Sequence, residues 1–242
     1  MKPARVLIIA KAPIAGFAKT RLTPALGTEG AARVARRMLE HTVYTALEAH
    51  VGAVELCVTP SPDHPVWKTL DLPDGLEWSE QGDGDLGARM ARAAARTTAA
   101  GAAALLIGTD CPGLTTLHLR MAADALVDHD AALVPTVDGG YALLALRRFH
   151  PCLFTHMPWS TDAVAFETLC RIGRLGWNVK SARPLHDIDE PEDLAWLPAG
   201  WHDDARLPDK SALPTPSHIS GPSAAHTHPL AIPRGLRDTR TR

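Results

Sequence analysis

Short apolar runs alternate along this chain with longer stretches of helical period, and that alternation limits the fold more than any other feature. "RVLIIA" at 5–10 reads as a buried strand, because large aliphatic side chains follow one another without a polar break. "AVELCVTP" (53–60), "AALLIG" (103–108), "AALVPT" (131–136) and "YALLALR" (141–147) repeat the pattern. "LEWSE" (76–80) is a shorter version, and "WNVKSARPL" (177–185) holds one more strand. Between the first two runs, Val34, Met38, Leu39, Val43 and Leu47 stand at helical spacing, so a helix is predicted from a Thr28 cap to about residue 50. Further helices are predicted over 86–99, from Thr115 or Thr116 to about 127, over 161–172, and in "EPEDLAWL" (190–197), where Pro191 suits a first turn. Strands alternating with helices of these lengths predict an α/β fold, with helices on both faces of a mostly parallel sheet.

The bulk numbers set outer bounds. The chain has 242 residues and a formal net charge of -2. That charge argues against a broad polyphosphate-binding surface, so nucleic acid is not an expected partner. No stretch approaches the length and apolarity of a membrane span. Cys57, Cys111, Cys152 and Cys170 form no C-x-x-C pair, and scattered single cysteines suit a reducing cytoplasm. Past about 198 the composition shifts to Pro, Ser, Thr and His without apolar period. The expected division is therefore a folded domain over 1–198 and a disordered tail over 199–242.

Five clusters carry possible chemistry. "KAPIAGFAKTRL" follows the first strand and brings Lys11, Lys19 and Arg21 into one loop. Lysines as point charges and arginine as a two-pronged donor suit a diphosphate, although a solvated basic loop has the same composition. "QGDGDLGARM" surrounds a helix start with glycines, and on spacing alone it is a structural turn capped by Asp83 or Asp85. In "GTDCPGL", Asp110 ends the fourth apolar run at a sheet rim, where open α/β sheets hold ligands. It is an oxygen ligand for Mg²⁺ or Mn²⁺, or the cap of the next turn or helix. "DGGYALLAL" reads as a hairpin turn at Asp138 followed by Tyr141. "PLHDIDEPEDL" sets Asp187 and Asp189 two apart, on one side of a strand, where they complete an oxygen site, unless Asp189 or Glu190 simply caps the helix that begins at Pro191.

In order, "AKAPIAGFAKTRL", "QGDGDLGARM", "GTDCPGL", "DGGYALLAL", "PWST" and "DIDEPEDL" resemble the DUF2064 family, over residues 5 to about 197. That family comprises bacterial GT-A-type glycosyltransferase-like proteins, some associated with arsenosugar biosynthesis. Ala142 stands where a second aromatic often follows Tyr141, and Ile9 where the family often has Phe.

The resemblance implies a GT-A, nucleotide-diphospho-sugar transferase-like three-layer α/β/α sandwich. It implies a nucleotide-sugar donor, a small-molecule acceptor, and Mg²⁺ or Mn²⁺. Lys11, Lys19 and Arg21 would meet the nucleotide phosphates, with Gln81 and Gly82 near the base or ribose. Asp110 would take the place of the metal-binding aspartate of the D-x-D region. "TDC" holds one carboxylate where that motif has two, leaving Asp187 or Asp189 to supply another metal contact. Asp138, as general base, and Tyr141 would lie toward the acceptor. The activity expected is a metal-dependent glycosyltransferase. Its rivals are a nucleotidyltransferase joining a nucleoside triphosphate to a small phosphorylated acid, and a silent nucleotide-binding protein.

Overall fold

The computed structural model describes residues 3–201. They belong to the first of two units of the chain, Met1–Leu207; the second, Pro208–Arg242, lies outside the described residues. Nearly all of the tail expected from 199 onward lies outside them too.

Seven strands form one sheet: β1 (Ala4–Lys11), β2 (Gly52–Thr59), β3 (Glu77–Glu80), β4 (Ala103–Ile107), β5 (Ala131–Pro135), β6 (Tyr141–Leu146) and β7 (Val179–Ser181). Their order is β3-β2-β1-β4-β6-β5-β7. β6 runs antiparallel to both β4 and β5, while the other described pairs are parallel. Four helices cover it: α1 (Thr23–Glu48), α2 (Leu86–Ala99), α3 (Thr116–Ala125) and α4 (Val164–Arg174).

The period of two along β1 builds both cores at once. Val6 and Ile8 pack with Leu39 and Val43 of α1 and Leu119 of α3. Leu7 packs on the opposite face with Met90 of α2 and Ile172 of α4. A strand buried on both sides must be apolar throughout, which is why β1 shows no alternation. Each such side chain contributes about 1.5–3 kcal/mol relative to exposure. The expected three-layer α/β/α sandwich with a mostly parallel sheet is the observed architecture.

Three boundaries differ from expectation. α1 begins at Thr23, before the Thr28 cap, and breaks at Gly27 (φ 69°, ψ 171°) before continuing. Glycine alone takes that positive φ without strain, so it separates a first turn from the long amphipathic stretch. β4 ends at Ile107, paired with Leu143, three residues short of Asp110. Packing also runs past the expected boundary at 198. Trp201 is buried with Val34 and Met38 of α1, meets the His41 ring edge-on at 5.2 Å, and lies under the Arg37 guanidinium.

Candidate active site

Parallel strands deliver their carboxyl ends to one edge of the sheet. There β1 leads into the basic loop, β4 into Thr109–Pro112, and β5 into the turn before β6. A fourth segment joins them after β7. Leu185 bridges Thr136 in parallel, with its N–H donating to the Pro135 carbonyl and its own carbonyl accepting from Val137, both at 3.0 Å. The chain then crosses to the β4 loop. The Ile188 N–H donates to the Asp110 carbonyl at 2.8 Å, and the Cys111 thiol to the His186 carbonyl at 3.1 Å. Asp110, Asp138, Asp187 and Asp189, which belong to three separate motifs, thus reach one place.

Lys19 lies at its centre. Its ammonium is 2.6 Å from Asp110 Oδ1, 2.6 Å from Asp189 Oδ1 and 2.6 Å from the Ile188 carbonyl oxygen. Its side chain is only 7% exposed. Burial alone would lower the Lys19 pKa, but the two carboxylates outweigh it and hold it above the ordinary lysine range. An ammonium has three donors, and all three are engaged. Neither carboxylate is a helix cap. The N-terminus of α3 is closed by Thr115, whose N–H donates to His118 Nδ1 at 3.1 Å. The 3-10 turn Pro191–Trp196 is closed by Asp193, which accepts from the Glu190 N–H at 2.7 Å.

Two cavities open on either side of this ion triad. One, of about 240 Å³, is basic and lined by Lys11, Lys19, Thr20 and Arg21 of the loop. The other, of about 260 Å³, is lined by Asp138 and Asp187 together with the apolar Leu86, Met90, Tyr141 and Trp159. Asp110 and Asp189 line both. In the basic cavity the Lys11 ammonium rests 4.9 Å from the Phe17 ring centroid, and Arg21 pairs with Glu190 at 3.2 Å on the surface.

Besides the two it shares with the basic one, the acidic cavity has two carboxylates in different states of engagement. Asp138 Oδ1 accepts from the Thr136 hydroxyl at 2.5 Å and the Gly140 N–H at 2.9 Å, tying it into its own turn. That turn needs Gly139, at φ 90°, because a Cβ there would fall 2.1 Å from the Asp162 carbonyl oxygen. Asp187 is pushed up to about 6 by burial first, then by the charge of Asp138, with Asp189 and Asp193 adding to it. Cys111 lines the same cavity, but burial raises its thiol to about 12, with the Asp187 charge adding, so it is no nucleophile at neutral pH. Tyr141 is likewise raised by burial, and its hydroxyl lies 3.9 Å from Met90 Sδ.

Gln81 and Gly82 line neither cavity. The buried Gln81 amide nitrogen donates to the Ala10 carbonyl at 2.8 Å and the Cys57 carbonyl at 2.9 Å, while its oxygen accepts from Arg89 at 3.1 Å. It laces the ends of β1 and β2. The glycine-rich stretch around it is a structural turn, with Asp85 capping α2 through the Ala88 N–H at 2.8 Å. Trp159, Ser160 and Thr161 had been given no role. They line the acidic cavity, and the signal for them was the "PWST" motif itself.

Asp110, Asp187 and Asp189 are hard oxygen donors of the kind Mg²⁺ and Mn²⁺ take. Among the described residues, however, no three His, Cys, Asp or Glu side chains converge as a metal cluster. The carboxylates of Asp110 and Asp189 already share the Lys19 ammonium. As arranged, the residues do not fit a divalent ion. Nor is any helix among the described residues long and apolar enough to cross a membrane.

The sheet order and the edge site define a protein of the nucleotide-diphospho-sugar transferase-like α/β class. Residues 42–161 match the model of the DUF2064 family, "Uncharacterized protein conserved in bacteria", so the resemblance drawn from the motifs holds over that segment. The first and last motifs lie outside it. A protein from Desulfovibrio desulfuricans G20, provisionally named a nucleotide-diphospho-sugar transferase, is 26% identical with a TM-score of 0.75, over 84% of this chain and 91% of its own. The fold is shared with 4-diphosphocytidyl-2C-methyl-D-erythritol synthase from Anaerococcus prevotii DSM 20548, at 14% identity and a TM-score of 0.54, covering 81% and 96% of the two chains. It is shared too with CMP:2-keto-3-deoxy-manno-octonic acid synthetase complexed with CTP, at 13% identity and a TM-score of 0.51, covering 80% and 95%. No curated protein matches the chain by sequence.

Proposed function

We propose that this protein is a glycosyltransferase that takes a nucleotide-diphospho-sugar and passes the sugar to a small-molecule acceptor. The observation that carries the reading is the pair of cavities, one basic and one acidic with an apolar wall, meeting at Asp110 and Asp189. A diphosphate belongs in the basic one, where Lys11 and Arg21 meet its charge. The acceptor belongs in the other, against Tyr141 and Trp159.

In the transfer, the acceptor hydroxyl oxygen bonds to the anomeric carbon as that carbon's bond to the diphosphate breaks. The nucleoside diphosphate leaves with the electron pair. The hydroxyl proton passes to a carboxylate, and Asp187 suits that step better than Asp138. A base works best with a pKa near the working pH, and the Asp187 carboxyl is raised to about 6. Asp138 has one oxygen committed to its turn. Asp138 is then a positioning residue that raises Asp187.

The test is a thermal-shift screen with sugar nucleotides, nucleoside diphosphates and triphosphates, followed by product analysis of any pair that reacts. A sugar nucleotide that stabilises the protein and yields free nucleoside diphosphate supports the reading. Pyrophosphate release from a triphosphate replaces it with nucleotidyl transfer. Binding without any product replaces it with a silent nucleotide-binding protein.

A further inference from the structure

We propose that Lys19 is the resident cation of the Asp110–Asp189 pair, filling the place a divalent ion would need, so that the pair as it stands does not hold Mg²⁺ or Mn²⁺. Both Oδ1 atoms lie 2.6 Å from Nζ, so they are no more than twice that distance apart. An ion bridging them at about 2.0–2.1 Å from each oxygen would occupy the ammonium's own volume. The two cations exclude each other by size and by charge.

Lys19 is built into this place. Its backbone sits at φ 50° and ψ 40°, in the left-handed region that a lysine rarely adopts. That turn sends the side chain inward to the Ile188 carbonyl, at 2.6 Å, which holds it independently of the carboxylates. Lys19 also lines the basic cavity. The inference stands on this geometry alone, and it survives or fails separately from the transferase reading.

Mn²⁺ binding to the metal-stripped full chain, followed by electron paramagnetic resonance, tests it without any substrate. Wild type is expected to bind Mn²⁺ weakly. Lys19→Met and Lys19→Gln are expected to bind one ion at least tenfold more tightly, with the melting temperature rising on Mn²⁺ addition. Adding Asp110→Asn to Lys19→Met should return the affinity to the wild-type level. Variants that bind Mn²⁺ no tighter than wild type overturn the proposal. Should neither variant fold, the ¹⁵N signal of the buried Lys19 ammonium in wild type decides the matter. It is expected to persist when Mg²⁺ is added in equal amount, and its disappearance there overturns the proposal as well.

Discussion

Asp187 and Asp138 line the same cavity, and after burial the charge of Asp138 is the chief reason the Asp187 carboxyl titrates near 6. An unfolded aspartate titrates near 3.9. As pH rises from about 4, the unfolded chain therefore loses this proton first, and the folded state loses stability until about 6. Above that the penalty is constant. Asp187→Asn should raise the urea midpoint at pH 7.5 in EDTA and change it little at pH 4. An equal gain at both values would mean that titration is not the cause.

The Lys19 triad predicts a cost for removing one carboxylate. Asp110→Ala leaves a buried ammonium with Asp189 and the Ile188 carbonyl but one acceptor short. Losing a hydrogen bond to a charged group costs about 1.5–3 kcal/mol. Urea unfolding should show that loss at pH 7. A solvated surface aspartate would show about half a kcal/mol or less.

Gln81 separates a structural from a ligand-binding role. Gln81→Ala abandons the Ala10 and Cys57 carbonyls inside the protein. We expect a loss of about 1–3 kcal/mol in stability. The stabilisation by a bound nucleotide, measured as a shift from each protein's own melting temperature, should be unchanged. A variant that melts like wild type but no longer responds to nucleotide would restore Gln81 to the binding site.

Trp201 gives a fourth expectation. A chain ending at Pro198 loses the ring that packs on Met38, His41 and Arg37, whereas a chain ending at Trp201 keeps it. Truncating a buried Trp costs about 3 kcal/mol or more. Thermal melts of the two chains should differ by several degrees, with the shorter one lower.

The fold was legible because its signal is local. An uninterrupted aliphatic run such as β1 can satisfy neither a helix face nor a half-exposed strand, so it had to be central. α2 was readable to the residue because Asp85 caps it and Met90, Ala93, Ala94 and Thr97 fall on one face. The site was legible only as a set of candidates. Lys19 and Asp189 are 170 positions apart, and no spacing rule relates them. Lys19 was therefore assigned to phosphates, while its ammonium is held by carboxylates. Gln81 was misplaced for the opposite reason. A polar residue beside glycines looks like a ligand contact, and only the packed structure shows two strand carbonyls waiting for its amide. Trp201 escaped because it stands between a Pro-Ala-Gly turn and the polar His202 and Asp203, outside any apolar period, and its partners lie on α1.

The segment that follows β7 is fastened differently from the sheet it completes. From Leu185 to Trp201 it holds on through one bridge, a few hydrogen bonds, the Lys19 clasp and the buried side chains of Ile188, Leu197 and Trp201. Regions of that kind open at a lower free energy than the strands beneath them. When it opens, Asp187 and Asp189 leave together, and both cavities lose a wall while the helices and central strands stay protected from hydrogen exchange. Warming this protein should then abolish ligand binding at a temperature where its far-ultraviolet circular dichroism is still native.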